Sequence, residues 1–142
     1  MLQEKILLKF RGPNSIWRKF YIVDDEPGAR ENLQRTFSTL GYEVVTATDG
    51  DEAINILAGV DLIVTDLIMK RGDGDWLAKQ IRKRGLETPI ILRTTSSYVD
   101  RVGLFTEVYG KDSWDDEDLC GYVRHLLGEA RLETRIPSDM RK

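Results

Sequence analysis

From Phe20 onward, short apolar runs alternate with stretches whose apolar side chains recur at helical spacing, and turn or capping residues separate the two. Phe20-Tyr21-Ile22-Val23 reads as a first strand, and the acidic run Asp24-Asp25-Glu26 before Pro27 reads as the cap of a helix. Ala29, Leu33, Phe37 and Leu40 mark one face of that helix, and Gly41 stops it. Tyr42 to Ala47 partly alternates polar and apolar residues, as an edge strand does. Ala53, Ile54, Leu57 and Ala58 mark a second, short helix. Leu62-Ile63-Val64-Thr65 is apolar enough to be buried on both faces, which places it centrally in a sheet.

A loop from Met69 to Gly74 leads into a third helix with Leu77 and Ile81 inward, and Pro89 opens a fourth strand, Ile90 to Arg93. Ser96 to Thr106 leaves room for only a short or irregular fourth helix before a brief fifth strand at Val108-Tyr109. Leu119, Tyr122, Val123, Leu126 and Leu127 then trace the stripe of an amphipathic closing helix. Five βα-type repeats predict an α/β fold, a doubly wound five-stranded parallel sheet, with ligands bound at the carboxyl ends of its strands.

The chain has 142 residues with 41% hydrophobic and 32% charged side chains, which suits one folded domain with short extensions. Net charge is -3, unevenly spread: Lys5, Lys9, Arg11, Arg18 and Lys19 face only Glu4 in the first 19 residues, leaving 16 basic against 23 acidic side chains in the rest. An acidic body is a poor partner for phosphate backbones, so nucleic acid is not expected as a partner. Residues 1–18 read as a basic extension, open between an added strand, a homodimer contact and an unstructured arm; 130–142 read as a frayed tail. One cysteine, Cys120, and one histidine, His125, exclude disulfide frameworks and multi-cysteine or His-rich metal sites. No apolar run reaches the roughly 18 residues of a membrane span, so no membrane partner and a cytoplasmic location are expected.

Candidate chemistry gathers at strand ends. Asp24 and Asp25 follow the first strand, Asp66 the third, Thr94 the fourth and Lys111 the fifth. Singly, each reads as a cap, a loop acid or a solvated charge; together they converge on one sheet edge. Two carboxylates about 4 Å apart repel by about 4 kcal/mol at an effective dielectric of 20, so either one is protonated or a hard cation sits among them. A few carboxylates plus water suit Mg2+. With a cation and Lys111 neutralising phosphoryl oxygens, the central Asp66 is placed to act as nucleophile and form an aspartyl phosphate.

At this point the sequence resembles the receiver domain of bacterial two-component response regulators (CheY-like) over about residues 19–129. The resemblance rests on Phe20 to Glu26, on Val60 to Met69 with Asp73-Gly74 beyond, on Pro89 to Thr94, and on Lys111. It implies a flavodoxin-like strand order 2-1-3-4-5 and phosphorylation of Asp66 by a sensor histidine kinase or a phosphotransfer protein. It further implies Mg2+ held by Asp25, Asp66 and the Ile68 backbone carbonyl, with Asp24 acting mostly through water, phosphoryl contacts from Thr94 and Lys111, and output through a downstream protein target. Ile68 and Ser96 occupy the positions that tune hydrolysis of the acyl phosphate, and the apolar Ile68 predicts a slow one.

Four departures stand out. Asp112 follows Lys111 where the family usually has proline, so a trans peptide is expected. Lys70 stands where proline is common, and Val108 occupies the place of the switch aromatic; Tyr109, one place later, is the candidate replacement and is expected on the other side of the strand. Arg93 replaces an apolar residue and reads as a snorkelling side chain or a partner contact. These departures motivate a second reading, a phosphorylation-independent adaptor. An Mg-dependent phosphohydrolase is a third, although the acids lack the Asp-x-Asp pattern of the haloacid dehalogenase-like class.

Overall fold

In the computed structural model, which describes residues 18–95 and 103–128, five parallel strands form one sheet: β1 (Lys19–Val23), β2 (Glu43–Ala47), β3 (Leu62–Asp66), β4 (Ile90–Thr94) and β5 (Glu107–Gly110). Their order is β2-β1-β3-β4-β5, with β3 at the centre and β2 at an edge, as its alternating pattern predicts. The helices are α1 (Pro27–Thr39), α2 (Gly50–Ile54), α3 (Gly74–Lys83) and α4 (Asp116–Leu126). The predicted 2-1-3-4-5 doubly wound fold is thus the one observed. Of the stretch 96–106 where a short fourth helix is expected, residues 96–102 lie outside the described residues, as do residues 1–17 and 129–142, and residues 103–106 are not helical. Among the described residues no helix is long and apolar enough to cross a membrane.

Capping fixes where the helices begin. Glu26 accepts the Ala29 N–H at 3.1 Å with Pro27 at the first position of α1, and Asp49 accepts the Glu52 N–H at 2.8 Å at the start of α2. Asp115 and Asp118 form a reciprocal capping box at α4, whose acidic first turn and basic last turn suit the helix dipole. One boundary differs from the sequence reading: α2 ends at Ile54 and the chain leaves through turns, reaching a positive φ of 72° at Gly59, so Leu57 packs from a turn rather than from a helix.

Alternation along the strands divides the core in two. Tyr21, Val23, Ile63, Ile90 and Leu92 face α2 and α3, joined by Leu104 and Phe105. Phe20, Ile22, Val64, Ile91 and Tyr109 face α1 and α4. Arg82 of α3 donates to the carbonyls of Leu86, Thr88 and Leu104, and so ties α3 to the chain entering and leaving β4.

Tyr21 is fully buried, and its hydroxyl has no hydrogen-bond partner among the described residues. Burial, with a smaller contribution from Glu52, pushes that hydroxyl up to about 12. A buried polar group without a partner weakens a fold, so Tyr21→Phe is expected to be neutral or to stabilise by about 1 kcal/mol. Urea unfolding checks this, and a loss of stability larger than about 1 kcal/mol would show that the hydroxyl is bonded.

Candidate functional site

Each expected strand-end residue lies at the carboxyl edge of the sheet, and the register explains their meeting. Val23 pairs with Thr65, so β1 and β3 run out together and deliver Asp24, Asp25 and Asp66 to one place. One carboxylate oxygen from each of the three lies within 4.8 Å of the other two. Asp24 is buried, Asp66 partly buried and Asp25 exposed.

Local bonds hold the acids in place. The Glu26 N–H donates to Asp24 Oδ1 at 2.9 Å, and Arg30 donates to the Asp24 carbonyl at 2.7 Å. Asp66 Oδ1 accepts the Leu67 N–H at 2.9 Å and lies 3.2 Å from Lys111 Nζ. The peptide after Lys111 is trans, as Asp112 predicts, and the ammonium still reaches Asp66. Thr94 is buried at the end of β4, and its carbonyl accepts the Lys111 N–H at 2.9 Å, joining those two positions directly.

Electrostatics at this edge are set by burial. It pushes the Asp24 carboxyl above the ordinary aspartate value; the Glu26 N–H opposes this, Asp66 adds to it, and Lys111 and Arg93 oppose it. A native carboxyl with a raised value holds its proton more tightly than the unfolded chain does, so stability falls as pH rises between the two values. Ionised, the three acids outnumber Lys111 and Arg93. The donors are all oxygen and the residual charge is negative, a set that fits a hard divalent cation such as Mg2+.

The loop between β3 and α3 is firmly tied. Gly74 N–H donates to the Leu67 carbonyl at 2.8 Å, Met69 N–H to Asp73 Oδ1 at 3.0 Å, and Gly50 N–H to the Gly72 carbonyl at 2.9 Å. Gly72 takes a φ of 88°, a conformation that favours glycine. The result leaves the Ile68 side chain 66% exposed beside the acids. Asp73 caps the start of α3 by position, although its side chain serves the loop and not the helix end.

Val108 packs toward α2 and α3, whereas Tyr109 lies on the opposite face, buried and stacked on Trp114 at 4.5 Å. Ser96 falls outside the described residues. Sequence reasoning missed Arg93. Its side chain is neither a surface group nor, in this chain, a free contact: it is 17% exposed, and Nη1 lies 3.4 Å from Asp24 Oδ2. Strand parity was the available signal, since Arg93 pairs with Asp66 and follows Ile91 by two places on the same face.

A β2-β1-β3-β4-β5 parallel sheet with acids at the ends of β1 and β3, and a lysine after β5 reaching the central acid, defines a doubly wound α/β fold with an acidic site at the carboxyl edge of its sheet. The model of the response regulator receiver domain matches residues 20–108, and the chain belongs to that family, the receiver domains of two-component systems. Response regulator MprA of Mycobacterium ulcerans is 33% identical over 132 residues, covering 85% of this chain and 55% of MprA. Transcriptional regulatory protein DltR of Streptococcus agalactiae is 33% identical over 127 residues, covering 87% and 54%. Among solved structures, response regulator TrrA of Thermotoga maritima, in complex with Mg2+ and BeF, aligns with a TM-score of 0.69 and 32% identity over 77% of this chain and 98% of TrrA. The chain spans about half the length of the curated relatives it matches. Because relatives include a named transcriptional regulator, the expectation against nucleic acid is not supported; net charge of the receiver portion says nothing about the rest of such proteins.

Proposed function

We propose that residues 19–129 act as a phosphoacceptor switch in which Asp66 receives a phosphoryl group from the phosphohistidine of a sensor kinase or phosphotransfer protein. In that transfer the P–N bond of the donor breaks as a bond forms between phosphorus and an Asp66 carboxylate oxygen; later hydrolysis returns the carboxylate and releases inorganic phosphate. The observation that carries this reading is the convergence of three carboxylates within 4.8 Å with Lys111 3.2 Å from Asp66. Asp24, Asp25, Asp66 and the Ile68 carbonyl would hold Mg2+, whose role when bound is to offset charge on the phosphoryl oxygens. Lys111 supplies a fixed positive charge to one of those oxygens, and the Thr94 hydroxyl donates to another. TrrA, crystallised with Mg2+ and BeF, supports the comparison.

Phosphoryl occupancy would shift an equilibrium between two conformations, with Tyr109 as the aromatic that responds and a downstream protein as the reader. Ser96 belongs to the same set as a tuner of hydrolysis. In a longer polypeptide, of the kind MprA and DltR represent, the reader would be a further segment, and DNA binding one form of output. Homodimer contact and a cytoplasmic location belong to the same reading.

Incubation with Mg2+ and acetyl phosphate, followed by intact-mass measurement, tests the proposal. One phosphoryl addition is expected, and none in a metal-free sample. No addition in a folded sample that also fails to bind Mg2+ would overturn it in favour of a fixed, phosphorylation-independent adaptor. The exposed apolar Ile68 side chain lacks the hydrogen-bonding groups that would orient an attacking water. Ile68→Asn is therefore expected to shorten the phosphoryl lifetime several-fold; an unchanged or longer lifetime would remove Ile68 from the hydrolysis account.

A further inference from the structure

Arg93 occupies an unusual place. In the parallel register it stands between Asp66 of β3 and Tyr109 of β5, and its parity matches Ile91 and Tyr109 on the face covered by α1 and α4. A charged side chain there lies between the acids and the core rather than in solvent. Its guanidinium meets Asp24 Oδ2 at 3.4 Å, and across the β4–β5 pair its neighbour is Tyr109. Tyr109 stacks on Trp114 with ring planes 17° apart, and Trp114 lies 5.3 Å from the Tyr122 ring of α4. One side chain thus links the buried acid to an aromatic row that ends on the last helix.

We propose that Arg93 is a built-in counterion of the acidic pocket, which competes with a divalent cation for the acids, and that its place beside Tyr109 passes this competition to the Tyr109–Trp114 stack. The inference rests on the Mg2+ reading of the pocket and adds a positioning residue to it. A guanidinium 3.4 Å from Asp24 Oδ2 and a divalent cation among the same acids repel each other in a partly buried site. Arg93 therefore lowers the affinity for the cation while keeping the empty pocket close to charge balance.

Isothermal titration of the full chain with Mg2+ gives the first test, using Arg93→Gln, Arg93→Leu and Arg93→Lys, each checked for fold by circular dichroism. Both neutral variants are expected to bind Mg2+ about tenfold more tightly than the parent, and either one suffices if the other does not fold. Arg93→Lys should stay within a few-fold of the parent because the charge remains. Trp114 emission, read in a background carrying Trp17→Phe and Trp76→Phe, should change on Mg2+ saturation with Arg93 and stay flat with Arg93→Leu. Equal or weaker affinity in the neutral variants would overturn the counterion role, and a flat Trp114 signal in the parent would overturn the link. Absence of any heat in the parent and all variants would instead overturn the metal site itself, and the proposal with it.

Discussion

Asp66→Asn is expected to abolish phosphoryl uptake from acetyl phosphate in the presence of Mg2+, with the fold unchanged by circular dichroism. The substitution keeps the shape of the side chain and an oxygen that can still accept the Leu67 N–H, so the local backbone bond at 2.9 Å need not be lost. What disappears is the anionic oxygen that attacks phosphorus and one of the three metal-ligating carboxylates. Lys111 loses its partner at 3.2 Å, but Asp24 and Asp25 lose a repelling neighbour at the same time. These electrostatic changes oppose each other, and the thermal midpoint is expected to stay level or rise. Undiminished uptake by Asp66→Asn would place the acceptor on another acid, with the exposed Asp25 the first to examine.

Gly74→Ala is expected to produce the second large effect, a loss of about 3 kcal/mol or more with a matching loss of phosphoryl uptake. Gly74 opens α3 where the chain doubles back beneath the acids, and a Cβ there would collide with the Asp66 carbonyl oxygen and crowd the Leu67 Cα. Both obstacles are backbone of the strand end that carries Asp66, so neither can swing aside as a flexible side chain would. Relief requires moving the loop or the strand, and the Gly74 N–H bond to the Leu67 carbonyl resists that movement. Urea unfolding measures the first effect and intact mass the second. A stability loss under 1 kcal/mol with normal uptake would mean that the close approach is unimportant.

Much of this was legible in the sequence because period-two and helical spacings are set by burial, which the sheet imposes on β1, β3 and β4 alike. Leu62 to Val64 is buried on both faces; Asp24, Asp25 and Asp66 meet because β1 and β3 lie side by side, and Lys111 reaches Asp66 across β4 from the end of β5. The end of α2 was not legible: Leu57 and Ala58 continue a helical spacing, but Gly59 needs a conformation that turns the chain away. Arg93 was read as a surface residue because an arginine in a strand ordinarily snorkels to water. Its actual partner, Asp24, lies 69 residues away in sequence, and only the registers of β1 with β3 and of β3 with β4 bring the two strand ends together. The side of the strand taken by Tyr109 followed from parity, whereas its stack on Trp114 depended on where the turn before α4 returns.

The central claim is that Asp66 carries the phosphoryl group, and the most direct measurement is a map of the modified residue. After reaction with acetyl phosphate and Mg2+, borohydride reduction of the acyl phosphate converts the phosphorylated aspartate to homoserine, and peptide mass spectrometry locates it. The account predicts homoserine at position 66 alone. Homoserine at position 24 or 25, or none in a sample whose intact mass shows a phosphoryl addition, would contradict it.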